Sequence, residues 1–110
     1  MFYIDEANNI FISKGDTAVL DIELFRGDTP YTMQLNDKLV FGVRASNEYN
    51  YTLFEKVSGT PSFSFDADDT NDWSDVECDY SITMYYANGN VDTFITGKFN
   101  ILGVSYGSLI

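Results

Sequence analysis

The sequence predicts an all-β fold: one domain over residues 1–110, an antiparallel sandwich of about seven to eight strands, with a small closed barrel as the second choice. Three observations predict it. Apolar and polar residues alternate with a period of two over two long segments. Turn-forming residues recur roughly every 8–12 positions. No segment sustains a helical period and no internal repeat is visible.

In residues 18–25, AVLDIELF, Ala18, Leu20, Ile22 and Leu24 share one face, while Asp21 and Glu23 take the other. Residues 38–45, KLVFGVRA, repeat the pattern, with Leu39, Phe41, Val43 and Ala45 inward and Lys38 and Arg44 outward. Such alternation marks a sheet with one face on a core. Gly27, Asp28 and Pro30, then Asn36 and Asp37, supply the turns between them. Shorter strands are expected over residues 9–13, 31–35, 51–57 and 61–65, and DTNDWSD makes at most one helical turn.

DYSITMYY and VDTFITGKF form a hairpin across Ala-Asn-Gly-Asn, where Asn88-Gly89 suits a two-residue type I′ turn. Pairing Ala87 with Asn90 sets Tyr86 opposite Val91, Met84 opposite Thr93, Ile82 opposite Ile95 and Tyr80 opposite Gly97. Cys78 and Phe99 continue that core-facing side. A tyrosine ring over a strand glycine is a stabilising pair. Ser81, Thr83, Tyr85, Asp92, Phe94 and Thr96 then share the outward face, and the aromatic pair Tyr85 and Phe94 is the candidate protein–protein contact. The N-terminal Phe2–Tyr3 segment is the second candidate.

Composition bounds the function. Hydrophobic residues make up 45% of the chain and aromatics 16%, enough to build a core without disulfides or metals. Six basic and seventeen acidic side chains give a net charge of −11, which repels nucleic-acid phosphates and anionic lipid surfaces alike. No apolar run reaches the ~18 residues of a membrane span. MFYIDEANNIF lacks the basic and apolar regions of a signal peptide, so synthesis in the cytoplasm without secretion by the general route is expected.

Enzymatic chemistry finds little footing. There is no histidine, and Cys78 is the only cysteine, set between Glu77 and Asp79, whose charge disfavours a thiolate. Phosphate-binding glycine loops, GxSxG elbows and HExxH are not found. No enzyme activity and no cofactor are expected. FDADDTNDWSDVE does space oxygen-bearing side chains like a twelve-residue calcium loop: Asp66, Asp68, Thr70, Asp72, Ser74 and Glu77. Asn71 stands where that loop needs glycine, and the flanks are strands, so an acidic connection is preferred over a calcium site.

The order of KGDTAVLDIELF, DKLVFGVR, DDT and DYSITMYYANGNVDTFITGKFNI resembles the N-terminal domain of phage baseplate upper proteins, over roughly residues 10–102. The positions that carry the resemblance are Gly15, Asp16, Asp37, Phe41, Asp69, Thr70, Tyr80, Gly89, Thr93, Gly97 and Phe99. The resemblance implies an immunoglobulin-like sandwich that is a structural, non-enzymatic part of a phage or prophage tail baseplate. Its implied partners are other tail proteins or further copies of itself, and its implied place is the virion, assembled in a bacterial host's cytoplasm. A stand-alone module binding carbohydrate or calcium, through Trp73, Tyr85 or the acidic loop, is the alternative.

Overall fold

The structure is a computed structural model that describes residues 1–45, 52–71 and 76–103. Of these, 60% are strand and 4% helix. Ten strands and one helical turn follow in order: β1 (Phe2–Ile4), β2 (Ile10–Ser13), β3 (Ala18–Asp21), β4 (Phe25–Arg26), β5 (Thr29–Pro30), β6 (Lys38–Ala45), β7 (Thr52–Ser58), β8 (Ser62–Phe65), α1 (Ala67–Thr70), β9 (Val76–Tyr85) and β10 (Val91–Leu102).

The main sheet has six strands in the order β1-β2-β10-β9-β6-β7. It is mixed rather than antiparallel, because β2 runs parallel to β10, with Phe99 opposite Ile10 and Ile101 opposite Ile12. Two hydrogen bonds fix that junction from the side. Asn100 Nδ2 donates to the Ile10 carbonyl at 3.1 Å, and Lys98 N donates to Asn9 Oδ1 at 3.1 Å. β3 and β8 form a separate antiparallel pair, and β4 and β5 a two-residue ribbon.

The alternation read in residues 38–45 is the burial observed: Leu39, Phe41 and Val43 are buried, and Lys38 and Arg44 exposed. β3 is shorter than AVLDIELF, ending at Asp21, although Leu20 and Leu24 are both buried. No strand forms over 31–35. The pairing lies upstream, where Gly27 at φ +65° closes the β4–β5 turn, and Asn36 at φ +72° shapes the turn before β6. β1 was not anticipated.

The core lies between the inner face of the main sheet and the β3–β8 pair. Phe41 is its centre, with ring centroids of Phe65 and Tyr80 at 5.2 Å, Phe63 at 5.6 Å and Phe99 at 5.8 Å. Burying each such aromatic is worth about 1.5–3 kcal/mol, so this cluster rather than local propensity holds the two layers together. On β7, which ends the main sheet, Lys56 points inward and is held by Asp69 (Nζ–Oδ2 2.6 Å). An inward charge on a terminal strand discourages unwanted pairing there.

The β9–β10 hairpin corrects the expected turn. Asn88 does not take positive φ; Gly89 does, at +93°. Gly89 N donates to the Tyr86 carbonyl and Tyr86 N to the Asn90 carbonyl, each at 2.9 Å, so Ala87, Asn88 and Gly89 form a three-residue loop. The register near the turn therefore differs by one: Val91 faces Tyr85, Asp92 faces Met84 and Thr93 faces Thr83. An irregularity between Thr93 and Ile95 absorbs the extra residue, and beyond it the expected pairs return. Ile95 faces Ile82, Gly97 faces Tyr80, and Phe99 faces Cys78.

Candidate functional site

One face of the six-stranded sheet is occupied by the core; the other carries no further layer among the described residues. Its composition follows from the register. Reading across β7, β6, β9 and β10, one row is Val57–Val40–Thr83–Thr93 and the next is Glu55–Gly42–Ser81–Thr96. At one end lies Lys38–Tyr85–Val91, and at the other Arg44–Asp79–Lys98, in which Lys98 Nζ meets Asp79 Oδ1 at 2.7 Å. Apart from Glu55, whose carboxylate lies near Gly42, the middle is small or β-branched, with Thr83 and Thr93 hydroxyls 3.3 Å apart, while further charge and the large ring of Tyr85 stand around it. Val57, Val91 and Tyr85 are 63%, 58% and 47% exposed.

The predicted contact residues divide between the two faces. Tyr85 projects outward as expected. Phe94 does not join it: seated in the irregularity of β10, it is half-buried and packs against the core cluster. Phe2, opposite Ile12, also turns inward and lies 6.0 Å from the ring of Phe65. Tyr3 is exposed and stacks on Phe11 at 4.6 Å, on the outer side of β1 and β2. Val91 and Thr93, read as core-facing, are exposed instead. They were missed because the one-residue irregularity cannot be read from alternation, which both registers satisfy near the turn.

The acidic stretch is built from structural groups. Asp66 caps α1 from its N-terminus, and its backbone N–H donates to Asp69 Oδ2 at 2.7 Å. Thr70 is fully buried and its hydroxyl accepts a hydrogen bond from Gly15 N at 2.8 Å, which ties the connection to the positive-φ turn before β3. Asp68 is exposed, and Glu77 projects from the outer face of β9 beside Lys98. Asp72, Ser74 and Trp73 lie outside the described residues. Among the described residues, no group of three acidic, cysteine or histidine side chains could hold a metal ion.

Cys78 is fully buried opposite Phe99, and burial, with Asp79 and Glu77 adding, pushes its pKa up to about 11. Such a thiol stays protonated and is a poor nucleophile. A second polar cluster, at the hairpin end, has no signature in the linear pattern. Asp37 is 4% exposed and accepts hydrogen bonds from Tyr31 Oη (2.5 Å), Gln34 N (2.8 Å) and Ala87 N (2.9 Å). The hydrogen bond from Tyr31, with those from Gln34 and Ala87, holds its carboxyl below the usual carboxylate range. The Arg26 guanidinium lies over the Tyr86 and Tyr31 rings, at 5.1 and 5.6 Å. This cluster fastens the 31–37 segment to the hairpin loop.

No helix among the described residues is long and apolar enough to cross a membrane. Comparison with family models, with curated proteins and with solved structures returns no match.

Proposed function

We propose that this chain is an immunoglobulin-like sandwich serving as a structural module of a phage or prophage tail baseplate, joining tail proteins through a sheet face. The strand order supports the fold. β10-β9-β6-β7 follows the G-F-C-C′ order of a variable-type sheet, and the β3–β8 pair corresponds to strands B and E of the facing sheet. The phage assignment rests on the sequence resemblance. Its positions here serve geometry and packing: Gly15 and Gly89 at positive φ, Asp37 and Thr70 as buried acceptors, and Phe41, Tyr80 and Phe99 in the core. Residues of that kind suit a scaffold rather than a catalyst.

The observation that carries the reading is the outer face of the main sheet, weakly charged in its middle and rimmed by Tyr85 and ionic side chains. That is the anatomy of a protein contact, in which the centre is depleted of charge and the rim is polar. Co-expression with tail proteins of a phage genome followed by affinity capture tests it. Wild type should retain at least one tail protein, and Tyr85→Ser should retain it at least ten-fold less while melting normally. Retention of none, or equal retention by the variant, would overturn the assignment.

A further inference from the structure

We infer that Asn88 is a site of spontaneous modification: in the folded chain its side-chain amide closes on the backbone to a succinimide, which water opens to aspartate and isoaspartate. Among the asparagines of the chain, Asn88 alone precedes a glycine. The attacking atom is the Gly89 nitrogen, and glycine has no Cβ to crowd it. Even a Cβ built at Gly89 would meet nothing within 4 Å, so the approach is open. Asn88 Oδ1 accepts a hydrogen bond from Asn90 N at 2.9 Å, an Asx turn. That turn folds the side chain back along the main chain and sets its amide carbon over the Gly89 nitrogen, a near-attack arrangement. The Asn90 N–H also points at the oxygen on which negative charge develops during attack.

The Gly89 nitrogen bonds to Asn88 Cγ, the Cγ–Nδ2 bond breaks, and ammonia leaves with the Gly89 amide proton. Water then adds at either ring carbonyl. Opening at Cγ gives aspartate; opening at the main-chain carbonyl gives isoaspartate, whose chain runs through the former side chain. The Gly89 N–H donates to the Tyr86 carbonyl at 2.9 Å, and this bond has to open before attack. Residues 87–90 are all exposed, so water satisfies the freed carbonyl when it does. Asn8 and Asn36 show that exposure is not enough. Both are exposed and at positive φ, but the nitrogen after each belongs to a residue with a side chain, Asn9 and Asp37. Isoaspartate puts one more atom into the main chain of a loop closed by the Tyr86–Asn90 pair and held to Asp37 through Ala87 N. Either product adds a negative charge to an acidic chain, and the isoaspartyl form is a methyl acceptor for S-adenosylmethionine-dependent isoaspartyl methyltransferases.

The full chain, held folded for weeks in mildly alkaline buffer, tests the inference. Peptide mapping by mass spectrometry locates each conversion, and methyl transfer by an isoaspartyl methyltransferase counts isoaspartate. Two variants accompany wild type, with melting curves to establish that each is folded. Asn88→Gln has a side chain one methylene too long to close the five-membered ring. Gly97→Ala lowers global stability far from the loop, where its added Cβ would meet the Asn8 carbonyl oxygen. Wild type should convert at Asn88 at least ten-fold faster than at Asn8 or Asn36 and yield both products. Asn88→Gln should accept at least ten-fold fewer methyl groups, and Gly97→Ala should convert at the wild-type rate, because the reacting loop is already exposed. No conversion at Asn88, equal conversion at Asn8 or Asn36, or undiminished methyl acceptance by folded Asn88→Gln overturns the inference. Conversion several-fold faster in Gly97→Ala also overturns it, since Asn88 would then react through the unfolded chain. Should Asn88→Gln fail to fold, the wild-type map and Gly97→Ala decide.

Discussion

Asp37 shows how much a single side chain settles. It immediately precedes the second long alternating segment, and its residue type reads as a turn former, since nothing in a linear pattern says that a carboxylate will be buried. In the fold it accepts from a tyrosine hydroxyl and two backbone N–H groups drawn from two separate segments. All three favour the ionised form, so its folded pKa lies below the unfolded value, near 3.9. The contribution to stability is present above that unfolded value and is lost as pH falls through the folded one. Asp37→Asn should lower the melting temperature at pH 7 and flatten the loss of stability on acidification below about pH 4. An unchanged acid limb in the variant would show that Asp37 is not a source of that dependence.

At the scale of elements, β6 matches its reading, β3 is shorter than the alternating AVLDIELF, and the hairpin connection differs. β6 and most of β9 and β10 have one buried face, and period-two patterning reports that directly. The hairpin loop differs because Asn-Gly fits both a two-residue turn and a three-residue loop with glycine at positive φ, and the local sequence does not separate them. The resulting irregularity moves Phe94 from Tyr85's side to the core and brings Val91 and Thr93 outward. The expected Tyr80–Gly97 pair is present, and it acquires a third member. Tyr80 Oη donates to the Asn8 carbonyl at 2.6 Å, so the loop joining β1 to β2 is clamped over β10 at the glycine. A Cβ at Gly97 would collide with the Asn8 carbonyl oxygen and come within 2.9 Å of Tyr80 Cε1. Gly97→Ala should therefore destabilise by about 1–3 kcal/mol in denaturant unfolding, because backbone must move to admit the methyl group. Gly59, with nothing within 4 Å and no positive φ, is the control, and alanine there should be neutral or slightly stabilising. Equal effects at the two sites would mean that the clamp is not tight.

For the whole molecule, the predominance of strand and the presence of an apolar core were foreseeable from the alternation and hydrophobic content, but the strand order was not. The parallel β2–β10 contact joins residues far apart in the chain, and no short-range pattern encodes it. The outer face was legible in part: Lys38, Arg44 and Tyr85 were read as outward, while Val57 and the balance of basic and acidic side chains emerge only once β7, β6, β9 and β10 lie side by side. That face is the central claim, and hydroxyl-radical footprinting of the free and assembled protein tests it most directly. Val19, 60% exposed on β3, belongs to the separate β3–β8 pair and reports on the remaining surface. Assembly should protect Tyr85, Val91 and Val57 and leave Val19 as reactive as in the free chain. Protection of Val19 with Tyr85 and Val91 unchanged would contradict it.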